Sequence, residues 1–251
     1  MFDFTDKVVL LTGAGVGIGA SAAKAYARDG AKVAVNSVSG SGKKLAEEIE
    51  KEGGKALFVQ GDVSKPEEVE SMIKATVEEF GKLDIVVNCA GIVSGGSVEE
   101  MDLDLWNRVM DVNVTGTFLV CKYAMPHLRK TRGVIVNVAS LVAVKGIANR
   151  AVYSASKGAV LALSKAMAAD HIKDGIRVNV VSPGTVLSPS LEQRIQSEPD
   201  PEAAMNNYIS RQPLGRLGRP EEIATAILFA SSEEAGFMDG ANICIDGAGS
   251  L

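Results

Sequence analysis

The feature that most constrains the fold of this chain is a strict alternation of short apolar runs with helical stretches, sustained from one end to the other. Runs suited to buried strands occur at Val8–Leu11, Lys32–Val35, Ala56–Gln60, Ile85–Asn88, Val134–Val138, Arg177–Val181 and Asn242–Ile245. Helical stretches fall between them at 17–29, 42–53, 66–80, 103–130, 151–173 and 220–231. Strands that are continuously apolar, not alternating, are buried on both faces. A βαβα order of this kind predicts an α/β fold: a doubly wound, parallel, seven-stranded sheet with helices on both faces and right-handed crossovers. The breakers agree. Asp29-Gly30 closes the first helix, Gly53-Gly54 the second, and Ser64 followed by Pro66, Glu67 and Glu68 opens the third with an acidic first turn. No repeat or linker divides the chain, so residues 1–251 are expected to form one domain. The irregular stretch 182–219, rich in Pro, Ser, Glu and Arg, is expected to be a lid over the carboxyl ends of the strands, where such folds bind ligands.

Composition narrows the function classes. With a net charge of −5, the chain is a poor partner for nucleic acid or an anionic membrane. No apolar run approaches the ~20 residues needed to span a bilayer, and the acidic start Met1–Lys7 does not resemble a signal peptide. Cys89, Cys121 and Cys244 are odd in number, far apart and set in apolar segments, which predicts buried free thiols and a cytoplasmic setting. His127 and His171 have no neighbours at ligand spacing, so no metal is expected.

The first strand runs into Thr12-Gly13-Ala14-Gly15-Val16-Gly17-Ile18-Gly19 and then an Ala-rich helix. Glycines there permit a tight turn and close approach of a pyrophosphate, and the helix behind offers unpaired N–H groups and the positive end of its dipole. An acid usually ends the second strand and selects NAD by binding the ribose hydroxyls. Here the positions are Asn36-Ser37, followed by Ser39, Ser41, Lys43 and Lys44. A 2′-phosphate would meet hydroxyls, a helix N-terminus and two cations, so NADP is expected ahead of NAD. Asp62-Val63 ends the third strand, where a carboxylate can accept the adenine amino group. Asn88-Cys89-Ala90-Gly91 ends the fourth, where the Asn can brace the sheet and the small residues leave room for the cofactor.

Tyr153 and Lys157 lie four apart in a helical stretch, hence on one face. Ser140 sits just past the fifth strand, and Asn113 lies within the long helical region upstream. A tyrosine acting near pH 7 must be moved about three pKa units, or ~4 kcal/mol. An ammonium ~5 Å away supplies about 3 kcal/mol at an effective dielectric near 20, and a positive nicotinamide ring adds the remainder. Lys157 is therefore expected to lower Tyr153, while Ser140 holds the substrate oxygen and hydride passes between the substrate carbon and nicotinamide.

Taken together, Thr12–Gly19, Asp62, Asn88–Gly91, Asn113, Ser140, Tyr153-Ser154-Ala155-Ser156-Lys157 and Pro183-Gly184 resemble the short-chain dehydrogenase/reductase (SDR) family over the whole chain. The resemblance implies a Rossmann-type fold and a catalytic tetrad of Asn113, Ser140, Tyr153 and Lys157, with Lys157 also on the nicotinamide ribose and Asn113 holding a relay water. It further implies that Gly13, Val16, Gly17, Ile18, Gly19, Ala90, Gly91 and the segment Pro183, Gly184, Val186 and Ser188 line the cofactor. A homotetramer is implied too, in keeping with the small residues all round the helix from Ala151 to Ala169. A narrower resemblance, through Asn149–Tyr153 and Pro183–Arg211, is to the cytosolic type 2 (R)-3-hydroxybutyrate dehydrogenases and the 2-keto-3-deoxy-L-fuconate dehydrogenases. In that branch, arginines matching Arg150, Arg194 and Arg211 hold a substrate carboxylate. A guanidinium fork suits that task. The better-known branch members use NAD and carry the acid that this chain lacks. Two other readings stand beside a hydroxy acid or keto-deoxy sugar acid substrate: a 3-oxoacyl thioester reductase or neutral polyol dehydrogenase of the same family, and a non-catalytic dinucleotide sensor. Sensors of that kind commonly lose the Tyr or the Lys, and both are present here.

Overall fold

A computed structural model describes residues 2–251. Seven strands, β1 (Val8–Thr12), β2 (Lys32–Ser37), β3 (Lys55–Gln60), β4 (Ile85–Asn88), β5 (Val134–Val138), β6 (Arg177–Pro183) and β7 (Asn242–Ile245), form one sheet in the order β3-β2-β1-β4-β5-β6-β7. Every neighbouring pair is parallel, with registers such as Leu11↔Val35 and Thr12↔Asn88. The order reverses between β1 and β4, which opens a crevice beyond their carboxyl ends. β1 and β5 are buried at every position, as their unbroken apolar runs require. Val9, Leu11, Val33 and Val136 face one helical layer and Leu10, Val8, Val86 and Ile135 the other, giving a core on each side of the sheet.

Helices α1 (Gly17–Arg28), α2 (Ser41–Lys51) and α3 (Pro66–Phe80) follow the first three strands. Gly30 and Gly53 adopt positive φ, +96° and +89°, at the expected stops. The start of α3 differs in detail. Pro66 is at its first turn and Lys65 is the extended N-cap, whereas Ser64 donates its hydroxyl to Asp62 Oδ1 at 2.8 Å and caps nothing.

Two departures from the sequence reading bear on function. The stretch 103–130, expected as one helix, is α4 (Leu103–Met110), a π-helical turn (Asp111–Thr115) and α5 (Gly116–Thr131). Such wide turns often mark functional positions, and this one carries Asn113. The stretch 182–219, expected to be irregular, contains β6's last residues and two helices, α7 (Pro189–Gln196) and α8 (Pro201–Ser210). Both begin with proline behind a capping side chain: Ser188 accepts from Leu191 N and Asp200 from Ala203 N. They share a small core of Leu191, Ile195 and Leu217, separate from the two main ones. The last helices, α6 (Ala151–His171) and α9 (Pro220–Ser231), complete the layers.

The cysteines do not behave alike. Cys121 is buried and Cys89 partly so, but Cys244 is exposed. Cys244 lies on β7, the edge strand, so its outward face meets no further layer. Among the described residues no helix is long and apolar enough to cross a membrane, and no group of three His, Cys, Asp or Glu is placed to hold a metal.

Candidate active site

The glycine-rich turn sits between β1 and α1, with its shape set by contacts a side chain would destroy. A Cβ on Gly13 would stand 2.6 Å from Ala90 Cα, and one on Gly19 would stand 2.7 Å from the Gly13 carbonyl oxygen. Gly13 and Gly17 also need φ near +60°. Thr12 ties this turn to the end of β4, its Oγ1 accepting from Cys89 N and Ala90 N at 3.2 Å each. Val16, the N-cap of α1, supplies no side-chain cap, and the first turn of α1 has no acid. The leading N–H groups of α1 therefore lack side-chain partners, as a pyrophosphate requires. The residues fit a dinucleotide.

A cavity of about 670 Å³ opens from this turn toward the ends of β2 and β3. Gly13, Val16, Asn36, Ser37, Asp62, Val63, Ala90 and Gly91 line it, as does Val38. Two residues expected to hold the cofactor with their side chains instead hold the protein. Asn36 is 1% exposed; its Nδ2 donates to Gly61 O (2.9 Å) and Val59 O (3.1 Å), and its Oδ1 accepts from Gly13 N at 3.4 Å. Ser37 donates to Ser39 O and accepts from Gly42 N, shaping the turn into α2. The side chains that face outward here are Val38, 63% exposed, and Ser39. Asn88 likewise contributes no cavity surface: it is buried and its Nδ2 donates to Asn137 Oδ1 at 2.8 Å across the sheet. Asp62 Oδ1 accepts from both N and Oγ of Ser64, leaving Oδ2 toward the cavity without a protein donor.

A second cleft, of about 460 Å³, lies beyond β4, β5 and β6. It brings together Ser140, Tyr153 and Lys157 with Ile18, Gly91, Pro183, Gly184, Val186 and Ser188. Lys157 is 5% exposed, its Nζ donating to Val138 O at 2.8 Å and standing 5.9 Å from the Tyr153 ring centroid. Asn113, in the π-helical turn, lies behind the cleft. Its Oδ1 accepts from Ile92 N (2.8 Å), and its Nδ2 donates to Ile92 O and Ser156 Oγ (3.0 Å each). Ser156 in turn donates to Tyr153 O at 2.8 Å, so Asn113 fastens the loop after β4 to the helix of the tyrosine. Gly91 completes the junction: a Cβ there would lie 3.2 Å from Asn113 Oδ1 and 3.4 Å from Lys157 Nζ.

Burial acts on both partners of the pair. Burial pushes the Tyr153 hydroxyl above its ordinary value. The Ser140 hydroxyl and the charges of Arg150 and Arg194 pull it down in part. Burial holds Lys157 itself down to about 8, because an ammonium enclosed in apolar surroundings loses hydration. At about 8, Lys157 is still mostly cationic at neutral pH, and its Nζ stands 5.9 Å from the Tyr153 ring, so its charge favours the phenolate against the cost of burial.

The three arginines meet in the same cleft. Arg150, Arg194 and Arg211 all line it, and none has a carboxylate partner within 4.0 Å among the described residues. Arg150 Nη1 donates to Asn149 O (2.8 Å), Arg194 Nε to Ser190 O (3.3 Å) and Arg211 Nε to Asn207 Oδ1 (3.2 Å). Sequence reasoning missed Lys145, Tyr208 and Gln212 on the same walls. Gln212 is buried and donates to Thr185 Oγ1 at 3.0 Å, joining the end of α8 to β6's loop. No local pattern marks these positions: the fold of α7 and α8 brings in Tyr208 and Gln212, and Lys145 is held at the wall by the Gly249 carbonyl.

The family model described as enoyl-(acyl carrier protein) reductase matches residues 13–249. A Thermotoga maritima protein described as an uncharacterized oxidoreductase is 50% identical over 98% of both chains. An L-fucose dehydrogenase of Oryctolagus cuniculus is 39% identical over 99% of this chain and 86% of its own. Among solved structures, levodione reductase superposes with a TM-score of 0.94 at 32% identity, covering 98% of each chain. With the glycine turn, the nicotinamide-side cleft and the tyrosine–lysine helix in one fold, this chain belongs to the short-chain dehydrogenase/reductase family and is a nicotinamide-dependent oxidoreductase acting on alcohol groups.

Proposed function

We propose that Tyr153 is the acid/base of this oxidoreductase, with Ser140 and Lys157 as its partners, and that the substrate carries a carboxylate near the reacting carbon. When bound, the cofactor gives or takes hydride at its nicotinamide. Everything else falls to the chain. The glycine turn and α1 take the pyrophosphate, Asp62 the adenine amino group, and Ala90 and Gly91 the adjoining sugar. Ile18 and the segment Pro183, Gly184, Val186 and Ser188 form the nicotinamide side. Ser140 Oγ donates a hydrogen bond to the substrate oxygen. Tyr153 Oη gives that oxygen a proton during reduction and takes one during oxidation. The raised hydroxyl keeps the resting tyrosine in its protonated form at neutral pH, ready for the reductive direction. Lys157 Nζ, anchored on Val138 O, faces the ribose and the phenol ring. Asn113 holds the geometry from behind and stands next to the path for a relay water. NADP is read ahead of NAD, because no acid stands among Ser37, Val38 and Ser39 on the cavity wall and the first turn of α2 is acid-free.

The observation that carries the substrate reading is three arginines without acidic partners on one cleft with Tyr153. Three guanidinium groups on one cleft wall, with no carboxylate of the chain beside them, offer forked donors to a substrate anion. Residues 182–219 act as the lid that brings Arg194 and Arg211 over the substrate. The test is an oxidation screen of hydroxy acids, sugar acids and polyols with NAD⁺ and NADP⁺, on the parent and on Arg150→Ala. KM for the acid should rise at least tenfold in the variant, with the cofactor KM unchanged. An equal loss for a neutral alcohol would refute the carboxylate.

A neutral sugar or diol is the second reading, favoured by the similarity to an L-fucose dehydrogenase. The reading of a homotetramer is supported by the outer face of α6, where Ala155, Ala162 and Ala166 are exposed and small, and by Phe118, 45% exposed on α5. A cytoplasmic setting suits three cysteines free of disulfides.

A further inference from the structure

The cleft of Tyr153 does not end at its arginines. Another cavity, of about 760 Å³, lies beyond it and shares Ile147, Arg150, Tyr208 and Arg211 with it. The two arginines at this boundary are not equivalent. Arg150 lines both spaces and its charge reaches the Tyr153 hydroxyl, as does that of Arg194, which lines the inner cleft alone. Arg211 lines both spaces and lies over the Tyr208 ring, its guanidinium 5.7 Å from the centroid. An anionic group near the reacting carbon is therefore matched by Arg150 and Arg194. Arg211 and Tyr208 are left to frame the passage outward.

The chemistry changes across that passage. The outer cavity is lined by Asn149, Glu198, Asp200 and Asn207, with Ala203 between them on the first turn of α8. Amides offer donors and acceptors, and carboxylates accept only. Two carboxylates repel a second anion, and an apolar tail would strip water from Asn149 and Glu198 without replacing it, while Asp200 and Asn207 already accept from Ala203 N and Arg211 Nε. A row of hydroxyls satisfies both kinds of group. Both cavities also fall in the ~300–1,000 Å³ range of small-molecule sites.

We propose that the outer cavity is the subsite for the far end of a polyhydroxylated substrate, so that the enzyme selects a long hydroxylated chain over a short one. The inference rests on the hydride-transfer site proposed above but not on the carboxylate. The test compares two pairs, gluconate against 3-hydroxybutyrate and L-fucose against 2,3-butanediol, on the parent and on Ala203→Trp. Ala203 is exposed, and its one part in the α8 cap is its backbone N, which donates to Asp200 and which the substitution keeps. The indole fills the outer cavity and leaves the inner cleft open. Expected is a fall of at least tenfold in kcat/KM for the long member of the pair that the parent oxidises, with the short member changed less than about twofold. Equal effects on long and short members, or none on either, would overturn the inference. So would a parent that neither oxidises the long member of either pair nor binds it in titration calorimetry with NADP present. Turnover of L-fucose without turnover of gluconate would instead remove the carboxylate and leave the outer subsite standing.

Discussion

Replacing Asn36 by aspartate would place an acid where dinucleotide folds often select NAD, yet the geometry predicts neither NAD selectivity nor a stable protein. The Asn36 amide points into the protein, with Nδ2 on the carbonyls of Val59 and Gly61 and Oδ1 on Gly13 N. A carboxylate has no donor for those two carbonyls. Each buried group left unpaired costs ~1–3 kcal/mol, so Asn36→Asp should lose ~2–6 kcal/mol, a large part of the ~5–15 kcal/mol that holds a typical domain. Protonation of the aspartate would recover one of the two bonds and set the lower end of that range. The glycine turn, braced through Gly13 N, should loosen with it. Val38→Asp is the matching variant: its side chain is exposed on the cavity wall, so the acid can reach a ribose at little cost to stability. Urea denaturation and the ratio of kcat/KM for NADH over NADPH are the measurements. Asn36→Asp should unfold at much lower urea with the ratio unchanged or worse, and Val38→Asp should raise the ratio with its midpoint intact. A stable Asn36→Asp that turned toward NADH would show that the side chain faces the cofactor and refute the reasoning.

Three further outcomes are expected. Tyr153→Phe should lower kcat by ~10²–10⁴, the size of general acid–base catalysis, while the Kd for NADPH in titration calorimetry stays within about twofold; retained turnover would take the acid/base role away from Tyr153. Arg194→Ala removes a positive charge that stabilises the Tyr153 phenolate, so the tyrosine rises further, and the ascending, acid-side limb of kcat/KM for oxidation, which needs the phenolate, should move to higher pH; a downward move would assign that limb to another group. Ala155→Glu sets a charge on the outer face of α6 and should shift the sedimenting species toward smaller assemblies, whereas a monomeric parent would contradict the proposed tetramer.

Much of this architecture is local in origin. Val8–Leu11 and Val134–Val138 are too apolar and too short to be anything but strands buried on both faces. Parallel strands joined by helices then leave few topologies. Tyr153 and Lys157 share a face wherever that helix packs, and the glycines before α1 shape their own turn. These features depend on neighbours a few residues away, and the sequence alone determined them.

What the tertiary structure decided depends on direction and burial. Whether Asn36 turns toward the cavity or toward β3 follows from the carbonyls of Val59 and Gly61, which lie 23 and 25 residues on. The π-helical turn forms where Asn113 bonds Ile92 and Ser156 at once, and no period in 103–130 announces that pairing. Burial pulls Lys157 down to about 8 and pushes Tyr153 up, two costs that the simple charge argument leaves out. Desolvation depends on how many layers cover a group, which residue spacing does not record. For the same reason Arg150, Arg194 and Arg211, spread over sixty residues of chain, become one cleft only when α7 and α8 fold over it.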